Sequence, residues 1–183
     1  MWIAAAAAAL ACGCGGRDSE ALARSYDFGI DAPAAQLAAV HVGRVRAAVP
    51  FDLPDMHYRL AYRNPGELLT FAQSRWAAAP AELYRKRLLR AAAAGPARCT
   101  LEVELQEVTQ VFAAKDSSEA LLELRARIGD GSGPLGERMF RVVQPGAGAL
   151  APEGAAAMAK AADRSIGELA GWIGSLPGCA ASK

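Results

Sequence analysis

Strict alternation of apolar and polar residues marks the third quarter of the chain. Leucine and valine alternate with glutamate through CTLEVELQ (99–106), and apolar residues alternate with charged ones through SEALLELRARIG (118–129). This period of two is typical of strands with one buried face. The alternation slips near Glu107, which predicts a β-bulge. With a Gly/Pro-rich turn and the further strand RMFRVV (138–143), the region predicts a three-strand antiparallel meander.

The predicted hairpin also fixes which charges meet on its exposed face. If AAKD forms the loop between the first two strands, Glu104 lies near Arg125 and Glu102 lies near Arg127. This arrangement would place opposite charges next to each other on the exposed face of the hairpin.

Two segments carry the helical period instead. The first starts at Pro80, a residue suited to the first helical position, and ends before Gly95. It places Ala81, Tyr84, Leu88 and Ala91 on one face. The second starts near Pro152 and repeats apolar residues every three or four positions. Its stripe consists of Ala155, Ala159, Ala162, Ile166, Leu169, Ile173 and Leu176.

Shorter strand-like runs precede the first helix. They are Tyr26–Ile30, Val40–Val49 and Met56–Arg63, separated by proline- and glycine-containing turns. The whole pattern predicts an α+β domain with a mainly antiparallel sheet, including the three-strand meander, and two long helices packed on that sheet.

The N-terminus has the pattern of a secretion signal. Residues 1–11 include a short apolar run from Trp2 to Ala11 that is too short to span a bilayer. The segment ALAC places Cys12 where a lipoprotein signal would place its lipidated cysteine, with Cys14 as the rival site. The alternative is an ordinary secretory signal cleaved near Ala11. The predicted organisation is therefore a signal peptide (1–11), a lipidated tether (12–25) and a single domain (26–183).

Charge and chemistry narrow the function class. The chain has 183 residues, with 20 Lys and Arg against 19 Asp and Glu, a balance that argues against a nucleic-acid-binding protein. The two histidines, His41 and His57, have no neighbouring acid at a catalytic spacing, and no GxSxG motif is present. No cysteine–histidine cluster has the spacing of a metal site. These features predict a non-enzymatic module without a metal or cofactor.

Two cysteines remain outside the signal region. In an oxidising periplasm, Cys99 and Cys179 would join the start of a strand to the segment after the last helix. The sequence alone does not show whether the two Cα atoms lie within bonding range, so two separate thiols are the alternative.

Several of these segments together resemble the ABC-type transport auxiliary lipoprotein family, which includes the paraquat-inducible protein C type. The resemblance rests on ALAC, YDFG, VGRVRAAVPFDLPDMHYRLAYR, SRWAAAPAELYRKRLL and the C-terminal helix with Trp172 near Leu176. Its most specific part is the RWA sequence followed by a proline and an amphipathic helix, formed here by Arg75, Trp76, Ala77 and Pro80.

The resemblance implies a lipid-anchored protein of the outer membrane that faces the periplasm. It implies an auxiliary or docking role in an ABC system that moves phospholipid or sterol-like lipid, with an MCE-domain protein as partner and a homo-oligomer as one assembly. The alternative is a periplasmic carrier with an apolar cavity between helices and sheet.

Two smaller features have two interpretations each. Trp76, beside Arg75, either packs over the first turn of the helix or contacts a partner. The basic run of Arg85, Lys86, Arg87 and Arg90 either touches anionic lipid headgroups or forms a solvated helix face.

Overall fold

The structure is a computed structural model that describes residues 23–38, 40–146 and 148–179. Its elements in chain order are β1 (Arg24–Tyr26), β2 (Val40–Ala47), β3 (Asp55–Leu60), β4 (Leu69–Trp76), α1 (Pro80–Ala91), β5 (Cys99–Ala114), β6 (Ser117–Asp130), β7 (Gly133–Pro145) and α2 (Ala151–Gly174). The predicted signal peptide and both lipidation candidates, Cys12 and Cys14, lie outside the described residues. Arg24 and Ser25, which were assigned to the tether, belong to β1.

The strands form one mixed sheet in the order β1-β4-β3-β5-β6-β7, and β2 pairs with β5 beside that path. β1 runs parallel to β4, and β2 and β3 both run parallel to β5. The pairs β3–β4, β5–β6 and β6–β7 are antiparallel. The prediction of a mainly antiparallel sheet with a three-strand meander is therefore wrong. Alternation in a sequence reports which face of a strand is buried and says nothing about the direction of a neighbour that lies far away in the chain.

β2 and β3 behave as one interrupted strand along β5. β2 pairs with the first half of β5 (Cys99–Leu105), and β3 pairs in the same direction with the second half (Thr109–Phe112). Between them, residues 48–54 leave the sheet. The predicted bulge in β5 is confirmed at the same level, because the β5–β6 register shifts between Leu105 and Glu107. The interruption therefore produces a loop that projects from the sheet where β5 is itself irregular.

The two helices cover one face of the sheet, and the core lies between them and that face. Buried residues of the long strands alternate with more exposed ones, as their pattern predicted. Those facing the helices include Leu101, Val103, Leu105, Leu122, Leu124, Ala126 and Ile128. The predicted face of α1 is confirmed, since all four of its residues are buried. Between the helices, the hydroxyls of Tyr84 and Ser165 lie 2.6 Å apart in a buried hydrogen bond, and burial raises the pKa of Tyr84 well above its usual range.

The first half of the sheet differs more from the sequence prediction. β4 was not predicted, because Trp76 is its only buried residue and the other seven are half-buried or exposed. Such a strand gives no sustained alternation to detect. The predicted strand Tyr26–Ile30 is also wrong. The strand covers Arg24–Tyr26, and the chain then leaves the sheet so that Phe28 enters the core.

A disulfide joins the start of β5 to the segment after α2. Cys99 and Cys179 are bonded, with their Cα atoms 5.6 Å apart and a sequence separation of 80. Both residues are buried in the core. The bond therefore ties the end of the long helix to the sheet that it covers. Within the described ranges, no helix is long and apolar enough to cross a bilayer.

Candidate partner-binding surface

The loop of residues 48–54, here called the β2–β3 loop, is held at three points by backbone hydrogen bonds. The Ala48 N–H donates to Leu105 O at 2.8 Å, where the loop leaves β5. The Phe51 N–H donates back to Ala48 O at 2.8 Å and closes a turn. The Trp76 N–H donates to Pro54 O at 2.7 Å, where the loop returns. The loop is thus an ordered projection with both of its ends fixed.

Phe51 anchors the middle of the loop to the sheet. Its side chain is buried and meets the ring of His57 edge-on, with centroids 5.3 Å apart. His57 is also buried, and its Nδ1 has no hydrogen-bond partner among the described residues. Burial lowers the pKa of His57, although the carboxylates of Asp55 and Glu107 oppose that effect. The imidazole therefore acts as a neutral packing surface for the loop.

The side chains on either side of this anchor point outward. Val49 is 81% exposed and Leu53 is 55% exposed, while the neighbouring Asp52 is also exposed. Single exposed apolar residues are common on protein surfaces. Val49 and Leu53, however, lie on the same short loop, and the Phe51 between them already anchors that loop. We call this exposed pair the apolar tip. The fold places the tip at the surface, where it contributes little to the core and is accessible to another molecule.

The RWA segment lies directly behind this tip. Asp55, the first residue of β3, pairs with Arg75 across the β3–β4 ladder, and the Trp76 N–H binds Pro54 as described above. The Ala77 N–H donates to Tyr26 O at 2.7 Å and fixes β1 in the same way. This short segment therefore holds both the loop and the edge strand in place.

The structure separates the two residues that were candidates for a partner interface. Trp76 is 3% exposed and meets Phe28 edge-on with ring centroids 5.3 Å apart, so its ring is part of the core. Its indole Nε1 is buried without a hydrogen-bond partner among the described residues. Arg75 is exposed, and its guanidinium lies 3.4 Å from the hydroxyl of Ser25 on β1. Only Arg75 is placed to touch another molecule.

The face of the sheet opposite the helices carries charges in rows. The predicted register is confirmed, since Glu104 faces Arg125 and Glu102 faces Arg127. Ion pairs, however, form with the neighbouring strands on either side. They include Arg46 with Glu104 at 3.0 Å, Arg127 with Glu137 at 2.6 Å, and Arg141 with Glu123 at 2.8 Å. The hydrogen bond from Arg127 also lowers the pKa of Glu137.

Ion pairs neutralise part of this open face. A shallow cavity of about 110 Å³ lies among Arg44, Arg46, Glu102, Glu104, Arg125 and Arg127, and its four arginines outnumber its two glutamates. Exposed ion pairs of this kind contribute little to stability, because water and salt screen their charges. Across the ranges that the structure describes, no group of three or more His, Cys, Asp or Glu side chains has the arrangement of a metal site.

Comparison with solved structures identifies the fold. The chain is similar to a protein from Xanthomonas campestris described under the family model DUF330, with a TM-score of 0.69 and 23% sequence identity. That match covers 82% of this chain and 94% of the other. A second solved structure, of an uncharacterised protein, has a TM-score of 0.61 and 13% identity and covers 82% and 99% of the two chains. No protein-family model and no curated protein matches the chain.

These likenesses establish a shared fold and leave the activity open, because both identities are low. Because the matches cover 94% and 99% of the two neighbouring chains, the shared fold accounts for nearly the whole length of each neighbour. The sequence had singled out the RWA segment but not the apolar tip of the β2–β3 loop. The available signal was the pair of apolar residues in a proline-bounded turn, VPFDLP, where a turn is usually polar.

Proposed function

We propose that this protein is a non-enzymatic, lipid-anchored auxiliary component of an MCE-type ABC lipid-transport system. It is held on the periplasmic side of the outer membrane through Cys12 or Cys14 and docks an MCE-domain partner. The family resemblance supplies the system and the partner. The β2–β3 loop, with Arg75 beside it, supplies the docking surface.

One observation carries this proposal. The two segments on which the resemblance chiefly rests, VPFDLPD and SRWA, are about twenty residues apart in the sequence but adjacent in the fold. The Trp76 N–H binds Pro54 O, and Arg75 pairs with Asp55. One segment exposes apolar side chains, and the other anchors them on a buried tryptophan. The resemblance therefore includes both the exposed apolar tip and the segment that holds it in place. We take this as support for a binding role of the tip.

The packing beneath the helices favours docking over a lipid carrier. A carrier of the kind considered above needs an apolar cavity between helices and sheet. In that space, Leu88 of α1, Leu122 of β6 and Ile166 of α2 are each 0% exposed. Side chains fill the volume that a lipid chain would need. Lipid extraction from the purified protein followed by mass spectrometry tests this point, and one bound lipid per chain would favour the carrier.

The docking experiment compares two matched double variants. Val49→Ser with Leu53→Ser removes the apolar tip, whereas Ile30→Ser with Leu150→Ser removes two equally exposed apolar residues elsewhere, at 82% and 62% exposure. We expect the tip variant to bind the MCE-domain protein about tenfold more weakly, which corresponds to about 1.4 kcal/mol. The control should bind as the wild type does. Equal binding by all three proteins, each shown to be folded by circular dichroism, would exclude the tip as the docking surface.

Anchoring has its own test. Replacing Cys12 and Cys14 together with alanine should move the protein from the detergent phase to the aqueous phase of an envelope extract, because the acyl chains are then absent. Single variants identify which cysteine carries the lipid. A double variant that stays in the detergent phase would refute lipid anchoring.

A further inference from the structure

The outer side of α1 borders a groove that combines positively charged with apolar side chains. The groove has a volume of about 670 Å³ and lies between α1 and the segments around Asp27 and Ala77. Arg85, Lys86 and Arg90 line it together with Leu89. Leu89 is 48% exposed, although it lies on a helix whose other leucines are buried.

Arg87, the fourth cation of this basic run, has a different role. It is 4% exposed, and its Nε donates to Asp163 of α2 at 2.9 Å. Another of its nitrogens donates to the carbonyl of Asp31 at 2.6 Å. Arg87 therefore joins α1, α2 and the segment after β1 and is not available to a ligand.

The groove cations are less committed. Among the described residues, neither Arg85 nor Lys86 forms an ion pair. Arg90 donates one hydrogen bond, to the carbonyl of Gly29 at 3.0 Å, and a guanidinium has five N–H donors. Two carboxylates, Asp27 and Glu82, also line the groove and leave it with an excess of one positive charge.

We propose that this groove contacts the headgroups of an anionic phospholipid membrane. Cations beside an exposed leucine suit a surface that presents phosphate outside and acyl chains beneath. The position of the groove in the chain is also compatible with contact to a membrane. Asp27 at the groove follows Cys12 by 15 residues, which span at most about 50 Å when extended. A domain anchored at Cys12 can therefore lay this groove on the membrane. The inference rests on the proposed anchoring only for this placement.

The test uses vesicles and a chain of residues 13–183, without acyl groups. All residues of the described core lie between Phe28 and Cys179, so this chain keeps the whole core. It is mixed with phosphatidylcholine vesicles or with vesicles that also contain phosphatidylglycerol, and the bound fraction is measured by co-sedimentation. We expect about tenfold stronger partition onto the anionic vesicles, weakened by salt because exposed charges are screened.

A matched pair of charge reversals locates the contact. Arg85→Glu with Lys86→Glu should reduce the preference for anionic vesicles about tenfold. Arg63→Glu with Lys115→Glu changes the net charge equally at exposed positions in the β3–β4 and β5–β6 turns, and should leave most of that preference. A wild type without preference for anionic vesicles would overturn the proposal. So would an equal loss in both variants, since it would reflect net charge alone.

The assay contains no protein partner, so its failure is distinct from failure of the proposed function. The groove variant should still bind the MCE-domain protein, and the tip variant should still bind anionic vesicles. If the groove variant loses the protein partner while vesicle binding is unchanged, the groove belongs to a protein interface and the lipid assignment is wrong.

Discussion

The helix-covered face of the sheet and the β2–β3 loop place apolar side chains in opposite ways. Leu122 and Leu124 on β6 are 0% exposed beneath the helices, whereas Val49 and Leu53 in the loop are largely exposed. Burial accounts for the first pair, because each such side chain contributes about 1.5–3 kcal/mol when it is removed from water. It does not account for the second pair. The covered face therefore determines stability, and the loop displays side chains that stability does not require.

Trp76 connects these two regions and gives the largest expected effect. Its ring lies in the core, and its backbone holds the loop at Pro54. We expect Trp76→Ala to lower the free energy of unfolding by about 3–5 kcal/mol, because a large buried ring leaves a cavity. Trp76→Phe should cost less, since it keeps an apolar ring and removes an N–H that has no partner among the described residues.

Denaturant unfolding of the two Trp76 variants and the wild type measures this difference. A Trp76→Ala protein with wild-type stability and lost partner binding would contradict the core assignment and place the ring at the interface.

The disulfide gives the next effect and belongs wholly to the covered region. Replacing Cys99 and Cys179 with serine should lower the stability of the oxidised protein by about 2–5 kcal/mol, since a long loop is no longer closed in the unfolded chain. Thermal unfolding with and without reductant measures it. The reductant should destabilise the wild type and leave the double variant unchanged. Alkylation of both cysteines in the unreduced, unfolded wild type would show that the bond is absent.

Sequence reasoning succeeded where burial is one-sided and local. The strict alternation of β5 and β6 gave their buried faces, their bulge and the facing of Glu104 with Arg125. The sequence also predicted α1, because Pro80 marks the start of the helix and Tyr84 and Leu88 mark its buried face within one short segment. These are properties of neighbouring residues, so they can be read without knowing the partners.

It failed where pairing depends on distant segments. β4 has one buried residue in eight, and its neighbours β1 and β3 come from earlier in the chain. Nothing local in Leu69–Trp76 specifies a parallel partner on one side and an antiparallel one on the other. The exposed loop tip was missed for a related reason. Apolar residues in a sequence predict burial, and only the fold shows that Phe51 alone reaches the core.

Two glycines of α2 test how tightly the covered face is packed. A Cβ at Gly154 would lie against the side-chain amide of Gln110, whereas a Cβ at Gly171 would meet nothing within 4 Å. We expect Gly154→Ala to destabilise the fold by about 1–3 kcal/mol through overpacking. Gly171→Ala should stabilise it by about 0.5–1 kcal/mol, because alanine favours the helix. Calorimetry of both variants measures the two shifts. Equal stabilisation of both variants would mean that helix propensity alone decides and that the first turn of α2 does not press on β5.

His57, beneath the loop, gives the smallest effect and tests whether the loop is closed. Burial holds the pKa of His57 in the folded protein below its ordinary value of 6.5. Asp55 and Glu107 act against this shift, and Arg59 acts with it. The unfolded chain therefore binds more protons as the pH falls below about 6.5. The contribution of His57 to stability is complete above that pH and is lost as the pH falls toward the lower pKa of the folded state.

We expect denaturant unfolding to show a lower stability of the wild type at pH 5 than at pH 7, and a smaller decrease for His57→Gln. Identical pH dependence in the two proteins would mean that solvent reaches the imidazole. Phe51 would then not seal the loop onto the sheet, and the exposure of Val49 and Leu53 would reflect a loose loop instead of a displayed surface.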